Sequence, residues 1–320
     1  MPQKTMSPRA VRVFAPATIS NLGPGFDVIG IAVRTPGDEV LAERQAAARL
    51  TFSVETSQPD VPKDAERNVA ARVAALMLEE FKPPFGVRMI LRKSMPIGSG
   101  LGSSAASSVA SAVAVNALLQ QPLKKIDLLP FALEGERMAS GAPHADNVAP
   151  CLLGGGCLIR CYDPLHVVPI PVGDSFVWTI VHPHMTIRTE DARRILPATI
   201  PLSVAVRQWG NVGGLILGLI TGEAGLLGMS TEDAVVEPVR AKLIPGFQEV
   251  KNSALKAGAL GCSISGSGPS MFAITTSTAK ARSIGAEMAK SFLSAANLTC
   301  DIYVSRLNRK GARILKAGVE

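Results

Sequence analysis

Aromatic and charged residues are both scarce in this sequence. Phe, Trp and Tyr make up 4% of the chain and Asp, Glu, Lys and Arg 18%, whereas 47% of the residues are hydrophobic. This composition excludes a chain that is disordered as a whole, and it leaves too few aromatic side chains for a base-stacking platform. The net charge of +7 comes from Lys and Arg residues that are scattered singly or in pairs. We therefore expect no nucleic-acid partner, and we interpret the charge as suited to anionic small molecules.

Cysteine and histidine are few as well. The five cysteines lack the paired spacing of a zinc site, and their odd number argues against a complete disulfide framework. The four histidines form no His-Glu-x-x-His motif. The first residues contain no apolar segment followed by a small-residue cleavage site, which argues against a signal peptide. We expect a cytoplasmic protein whose cysteines are buried apolar side chains.

Two long segments contain little or no charge. Residues 94–123 have none and exceed the roughly 20 residues that span a bilayer. This segment nevertheless contains loop glycines and many serines, and its helical part is mostly Ala, Val and Ser, which suits a helix buried between other elements. Residues 212–229 are interrupted by Glu223 and by six glycines. We expect no membrane partner for either segment.

A glycine- and serine-rich stretch at residues 96–107 is the most informative part of the chain. It lies between a predicted strand, 87–91, and a predicted helix, 103–119. The first N–H groups of such a helix have no partner within it, and they point with the positive end of the helix dipole at an anion such as phosphate. No lysine follows the last glycine, which excludes a P-loop, although a plain capped turn stays an alternative. A second glycine-rich stretch, 265–270, favours a nucleotide site.

The remaining patterns predict an α+β fold with strands next to long helices. Strands are predicted at 9–15, 29–33, two within 40–55, 87–91, 157–161, 176–181, 262–264, 271–275 and 300–306. Helices are predicted at 66–81, 103–119, 126–139, 189–196, 202–221, 231–257 and 278–295. A connector with Pro and Gly near 169–174 marks the expected domain boundary.

Polar residues stand out in two segments. Asn21 and Asp27 lie in a loop rich in Gly and Pro, where capping of turns is the alternative to a functional role. His144, Asp146 and Asn147 form a dense polar cluster within apolar sequence. Both segments are therefore candidates for a site.

Three further polar residues lie in predicted helices. Asn68 is near the start of one helix, where capping is its default role. Glu134 and Glu136 are two positions apart in another, and such residues do not share a helix face. Only one of these carboxylates is expected to point inward.

Several of these segments together resemble the GHMP small-molecule kinases. Residues 96–106 resemble the second signature of that family and residues 263–270 the third. The segments that resemble the homoserine kinase branch in particular are 15–27, 144–150, 192–197 and 237–240. The similarity extends over nearly the whole chain, with the segments in the same order.

This resemblance implies two domains and an activity. An N-terminal, ATP-binding domain like domain 2 of ribosomal protein S5 would occupy residues 1–172, and a ferredoxin-like domain residues 173–320. The implied reaction is ATP-dependent phosphorylation of the L-homoserine hydroxyl to O-phospho-L-homoserine, on the route to threonine, by a cytoplasmic homodimer.

The resemblance also implies the positions that bind ATP and Mg²⁺. Asn68 would contact the adenine, and Ser104 and Glu136 would hold Mg²⁺. The triphosphate would lie on Pro96, Ile97, Gly98, Ser99, Gly100, Leu101, Gly102, Ser103 and Ser104.

For the amino-acid substrate, the resemblance implies one set of charged and one set of neutral side chains. Arg193 and Arg240 would bind the carboxylate, where a planar guanidinium suits two oxygens, and Asp27 the ammonium. The neutral neighbours would be Asn21, His144, Asn147 and Thr189.

The implied catalytic residues are Asn147, Glu136 and Ser104. Some relatives in the superfamily place an aspartate where it takes the hydroxyl proton, but the homoserine kinase pattern has asparagine there, as at Asn147. Adjacent residues usually point apart, and we therefore expect Asp146 to be structural and the transfer to need no protein base.

Two alternatives stay open. A sister kinase for a sugar or isoprenoid alcohol would keep both glycine-rich stretches but lack the set of Asp27, Arg193 and Arg240. A catalytically inactive relative that serves as a sensor would have lost Glu136 or Ser104.

Overall fold

The structure, a computed structural model, describes residues 7–318 and has the predicted α+β arrangement. Within these residues the strands are β1 (Ala10–Asn21), β2 (Gly25–Gln45), β3 (Leu50–Glu55), β4 (Gly86–Arg92), β5 (Gly156–Tyr162), β6 (Leu165–Ile170), β7 (Val177–Pro183), β8 (Gly261–Ile264), β9 (Met271–Thr275), β10 (Cys300–Arg306) and β11 (Arg313–Gly318). The α-helices are α1 (Val69–Phe81), α2 (Ser103–Leu118), α3 (Leu129–Ser140), α4 (Ala145–Leu153), α5 (Thr189–Arg194), α6 (Leu202–Thr221), α7 (Ala224–Met229), α8 (Glu237–Arg240), α9 (Phe247–Lys256) and α10 (Thr278–Ala296).

The strands form two sheets. The first has the order β11-β1-β2-β4-β3, and β5 pairs with the first half of β2 and carries β6 at its outer edge. Its pairs are antiparallel except β3 with β4. The second sheet has the order β10-β7-β9-β8 and is antiparallel throughout. The two glycine-rich stretches are the loops that join β4 to α2 and β8 to β9.

Helix α2 lies at the centre of the first layer, between α1, α3 and strands β1 and β2. Nearly all of its side chains are buried, and most are Ala, Ser or Val. These small residues let the neighbouring helices approach closely: Ser111 donates to the carbonyl of Ala70 in α1 (2.6 Å), and a Cβ on Gly135 of α3 would lie 2.1 Å from Ser108 Oγ. The helix of the uncharged segment 94–123 is thus buried between other elements, as predicted, whereas residues 94 and 120–122 at the ends of the segment are exposed. Among residues 7–318 no helix is long and apolar enough to cross a membrane.

The second sheet links two clusters of buried side chains. Ile284, Met288 and Phe292 of α10 pack on one face. Trp178 of β7 and Phe272 of β9 have ring centroids 6.2 Å apart and belong to the cluster that fills the first layer. The chain then returns to the first sheet, where β11 pairs with β1.

Several predicted features of the fold were wrong or missing. The segment expected to be a loop with Asn21 and Asp27 is mostly strand, because β1 extends to Asn21 and β2 begins at Gly25. Helices α4 and α7 were not predicted. The strands expected near 29–33 and 40–45 are parts of one long strand, β2. The helix expected over 231–257 is split into α8 and α9, because Pro238 opens a new helix and Gly246, at φ +76°, precedes the next. Edge strands β6 and β11 were not predicted, since β6 is mostly half-buried and β11 mostly exposed, and neither has a buried alternating pattern. The boundary at 172/173 stays a prediction.

The five cysteines are all free. Cys151, Cys157 and Cys262 are buried, as expected, whereas Cys161 and Cys300 are only half-buried. Burial raises the pKa of the Cys157 thiol to about 12, so this thiol is not reactive at neutral pH.

Candidate active site

A cavity of about 420 Å³ opens at the N-terminus of α2. The preceding residue, Gly102, has φ +65° and no side chain to cap the helix, so the first N–H groups of α2 are free for a ligand. A Cβ on Gly102 would lie 2.1 Å from Thr18 Oγ1, which explains why glycine is needed there. Ser103 and Ser104 line the cavity beside this helix end. The predicted triphosphate loop therefore borders a site with the chemistry of an anion pocket.

The second glycine-rich loop, residues 265–270, packs against the first loop and donates hydrogen bonds to its backbone. Ser265 Oγ donates to the carbonyl of Gly100 (2.7 Å), and the Ser270 N–H donates to that of Ser99 (3.2 Å). A Cβ on Gly100 would be 2.2 Å from the Ser265 carbonyl oxygen, so the two backbones touch. Of the second loop, Gly266 and Ser267 reach the cavity.

A buried ion pair, which no sequence pattern predicted, holds the ends of the first loop together. Lys93 Nζ donates to Asp38 Oδ2 (2.5 Å), to the Ser103 carbonyl (2.6 Å) and to Ser107 Oγ (2.9 Å). Asp38 Oδ1 accepts from the N–H groups of residues 94 and 95. Lys93 and Asp38 are 6% and 0% exposed, and removal of one partner from such a pair typically costs about 3–5 kcal/mol. The pair fixes the start of α2 against the end of β4.

Glu136 is the carboxylate of α3 that points inward, as predicted. It is 4% exposed, whereas Glu134 pairs at the surface with Arg137. Glu136 Oε2 lies 3.5 Å from His144 Nδ1, and its buried Oε1 has no hydrogen-bond partner. Among the described residues no group of three or more His, Cys, Asp or Glu side chains forms a metal site. One carboxylate oxygen and the Ser104 hydroxyl suit Mg²⁺, which keeps several waters and binds substrate phosphates.

An ion pair between Asp27 and Arg193 closes the other end of the cavity. Arg193 Nη2 is 2.6 Å from both carboxylate oxygens of Asp27, and Arg193 Nε donates to His144 Nε2 (3.0 Å). Because His144 Nε2 accepts this bond, the ring proton belongs on Nδ1, next to Ser140 Oγ (2.9 Å) and Glu136. The two groups expected to bind opposite charges of a substrate thus neutralise each other in the ligand-free protein.

Arg240 lies behind this pair and is 3% exposed. Its Nη1 donates to the Gly266 carbonyl (2.9 Å), which also accepts from Asn21 Nδ2 (3.0 Å). Burial, and then the charge of Arg193, lowers the Arg240 pKa to about 10, so it stays charged at neutral pH. The guanidinium carbons of Arg193 and Arg240 lie 5.3 and 5.1 Å from the ring centre of Phe26, a residue that the sequence analysis did not single out.

Asn147 and Asp146 both border the cavity. Asn147 Oδ1 accepts from Thr18 Oγ1 (2.7 Å), and its Nδ2 donates to Ser20 Oγ (3.1 Å). Asp146 is buried, and its Oδ1 has no partner. The segment is the first turn of α4, in which neighbouring side chains diverge by only about 100°. The contact of Asp146 with the cavity was not predicted, because its segment was not expected to be helical.

Asn68 and Thr189 lie at the cavity edge. Asn68 caps α1 by accepting from the Ala70 N–H (3.0 Å), and it donates to the Pro62 carbonyl (2.7 Å). Its capping role is thus confirmed, and contact with adenine stays a prediction. Thr189 Oγ1 is 3.5 Å from Ser267 Oγ of the second loop.

Comparisons with known proteins identify the family of this chain. Residues 68–155 match the model of the GHMP kinase N-terminal domain, and residues 221–294 that of the GHMP kinase C-terminal domain. A homoserine kinase of Chlorobium phaeovibrioides is 46% identical over 96% of this chain and 100% of its own length. The chain belongs to the homoserine kinase family. A homoserine kinase of Methanococcus vannielii is 41% identical over 83% of this chain and 88% of its own.

A solved structure also matches. The crystal structure of homoserine kinase from Cytophaga hutchinsonii has a TM-score of 0.92 and 51% identity, over 96% of this chain and 98% of that one. This match and the two GHMP kinase domain matches confirm the family resemblance and the expected α+β fold with an N-terminal and a C-terminal GHMP kinase domain.

Asp146 gives this homoserine kinase family member a pH-dependent stability. Burial, and then the charge of Asp27, raises the Asp146 pKa to about 7. Between about pH 4 and pH 7 the folded protein holds a proton that the unfolded chain has released, so the free energy of unfolding falls as pH rises through this interval. We expect the ligand-free Asp146→Asn variant to melt roughly 5 °C above wild type at pH 8, because asparagine removes the buried negative charge. At pH 4 the melting temperatures of the two proteins should be nearly equal. An equal difference at both pH values would contradict this origin.

Proposed function

We propose that this chain transfers the γ-phosphoryl group of ATP to the side-chain hydroxyl of L-homoserine, which gives O-phospho-L-homoserine for threonine synthesis. One observation carries the proposal: a single cavity joins the uncapped N-terminus of α2 to the set of Asp27, Arg193 and Arg240. The first end suits a triphosphate, and the second suits an amino acid.

The charges at the second end match a zwitterion. The substrate carboxylate would bind Arg193 and Arg240, and the ammonium would bind Asp27, so that the ligand replaces the ion pair between Asp27 and Arg193 with two pairs of its own. The buried Asp146 adds a second acidic side chain nearby. A sugar or mevalonate has no ammonium group for these carboxylates.

At the first end, Ser104 and Glu136 would hold Mg²⁺ against the phosphates. When bound, the ion supplies positive charge that neutralises the phosphate oxygens during transfer. The free N–H groups of α2 bind the same oxygens, and the ion pair of Lys93 with Asp38 holds this helix end in place. This chain therefore contributes mainly fixed positions and fixed charges.

Asn147 would orient the acceptor hydroxyl. Its amide is held by Thr18 and Ser20, so it presents a fixed neutral dipole to the cavity. We propose that the transfer needs no protein base. Loss of turnover in an Asp146→Asn variant with intact fold and substrate binding would contradict this step.

We also propose a cytoplasmic homodimer. The unpaired state of all five cysteines supports a reducing compartment. The exposed apolar side chains of α6 support association of two copies.

The test is ADP release by the purified full chain with L-homoserine, mevalonate and galactose side by side. We expect kcat/KM to be at least about 100-fold higher for L-homoserine, because only this acceptor satisfies both Asp27 and the two arginines. A preference for mevalonate or galactose would favour the sister-kinase alternative. Absence of ADP release with all three would favour the inactive relative.

A further inference from the structure

Asp27, which the proposed function pairs with the substrate ammonium, has an unusual backbone conformation for a strand residue. Its φ is +61°, and it is one of five non-glycine residues with a positive φ in the described part of the chain. A side chain at this φ leaves the alternation of an ordinary strand, and the Asp27 carboxylate pairs with Arg193 in the cavity. Such a conformation is strained, and it persists only where neighbouring groups impose it.

The N–H group of Asp27 is held by the side chain of Asn21. Asn21 Oδ1 accepts from this N–H (3.2 Å), and Asn21 Nδ2 donates to the Gly266 carbonyl (3.0 Å). Gly266 belongs to the second glycine-rich loop, and its carbonyl also accepts from Arg240 Nη1 (2.9 Å). One side of the Asp27 backbone is thereby tied to the same carbonyl that holds Arg240.

The carbonyl group of Asp27 is held by a tyrosine side chain. Backbone pairing between β2 and β5 joins residues 29–31 to residues 156–158 and stops before it reaches Asp27. The hydroxyl of Tyr162, at the end of β5, donates to the Asp27 carbonyl oxygen at 2.7 Å. A carbonyl away from water needs a donor, and this hydroxyl takes the place of the backbone N–H that the interrupted pairing cannot supply.

Tyr162 is itself fixed by its neighbours, and its hydroxyl keeps its proton. The residue pairs with Leu165 in the hairpin of β5 and β6. Burial, and then the charges of Asp146 and Asp27, raise the pKa of the hydroxyl, so that it is a hydrogen-bond donor at neutral pH. Asp27 lines the cavity, whereas Tyr162 is not among the described residues that do. Any effect of this hydroxyl on a ligand would therefore pass through Asp27.

We propose that Tyr162 is a positioning residue, whose hydroxyl acts with Asn21 to hold Asp27 in the left-handed conformation that directs its carboxylate at the substrate ammonium. This inference rests on the proposed function, because it assumes an acceptor with an ammonium group. Binding of that group would open the ion pair between Asp27 and Arg193, and the carboxylate would lose the partner that fixes it in the ligand-free protein. The two hydrogen bonds to its backbone would keep it in place, which lowers the entropy cost of binding.

Tyr162→Phe tests this role, since it removes the hydroxyl and keeps the ring. We expect kcat/KM for L-homoserine to fall about 5- to 10-fold, the loss typical of one neutral hydrogen bond, while the KM for ATP stays unchanged. For 4-hydroxybutanoate, which lacks the ammonium group, kcat/KM should change by less than about twofold, because this acceptor makes no use of the Asp27 carboxylate. ADP release by the purified full chain with each acceptor measures the difference.

A second substitution separates positioning of Asp27 from a general loss of stability. Asp27→Asn removes the charge but keeps a side chain that tolerates a positive φ. In this background Tyr162→Phe should lower kcat/KM for L-homoserine by less than about twofold further, because the hydroxyl acts through the carboxylate that is already absent. A merely structural role of Tyr162 would give the same loss in both backgrounds and would overturn the inference.

Tyr303→Phe is the matched control. Tyr303 is the other tyrosine of the chain, half-buried in β10, and its substitution should leave kcat/KM for both acceptors unchanged. If Tyr162→Phe lowered kcat/KM equally for the two acceptors, or for neither, the role of Tyr162 would be overturned, and a wild-type preference for L-homoserine over 4-hydroxybutanoate would leave the proposed function standing. A wild type that does not phosphorylate L-homoserine would overturn both.

Discussion

The Glu136→Gln variant is expected to turn over L-homoserine about 10³-fold more slowly than wild type at saturating substrates. Glu136 is buried beside His144, and one of its oxygens has no partner in the ligand-free protein. Glutamine keeps the volume but removes the negative charge that would hold Mg²⁺. The substitution should therefore lower kcat, and a higher Mg²⁺ concentration should restore part of the lost turnover. Steady-state ADP release over a Mg²⁺ titration measures both.

Glu134→Gln is the matched control. Glu134 is on the same helix, two positions away, but it pairs with Arg137 at the surface. Its loss should change kcat by less than about twofold. Equal effects of the two substitutions, or a wild-type rate for Glu136→Gln, would remove Glu136 from the proposed metal site.

The Arg193→Met variant is expected to lose about 10³-fold in kcat/KM for L-homoserine while the KM for ATP stays unchanged. The side chains of Arg193 and Asp27 are 29% and 27% exposed in the ligand-free protein. Two hydrogen bonds from Arg193 to the substrate carboxylate would together contribute about 3–6 kcal/mol, and each 1.4 kcal/mol corresponds to a factor of ten. Arg193 approaches the ATP end of the cavity only through His144, which lies between its guanidinium and Glu136.

The neighbouring Arg194 offers a matched control. It pairs with Asp191 on the surface of α5, and such pairs contribute about 0–1 kcal/mol. Arg194→Met should therefore keep the wild-type kcat/KM. A similar loss in both variants would mean that α5 itself, and not the Arg193 charge, had been disturbed.

The sequence predicted those parts of the site that depend on local chemistry. The loop before α2 could be predicted because free N–H groups at a helix start are a local property. Helix geometry predicted that only one of Glu134 and Glu136 points inward, and the choice of Glu136 came from the family resemblance. The roles of Asp27, Arg193 and Arg240 came from the family resemblance, and they stay predictions until variants are measured. The structure brings these side chains to one cavity.

Other features depend on contacts between distant parts of the chain. Lys93 and Asp38 meet because β2 and β4 are neighbours in the sheet, and nothing in the local sequence of either residue indicates a buried pair. Phe26 touches both arginines only after α5 and α8 have packed. The same holds for the pairing of Asp27 with Arg193, which are 166 positions apart. Their separate predicted roles did not reveal that each partner satisfies the other before the substrate binds.

The central claim is that this cavity recognises the acceptor as an amino acid. The most direct test compares kcat/KM for L-homoserine and for 3-aminopropan-1-ol, which lacks the carboxylate, in wild type and in Arg193→Met. The wild type should prefer L-homoserine strongly, and the substitution should reduce that preference by about 10²–10³-fold, because it removes a group that only the carboxylate uses. If Arg193→Met lowered kcat/KM equally for L-homoserine and for 3-aminopropan-1-ol, that result would contradict the claim.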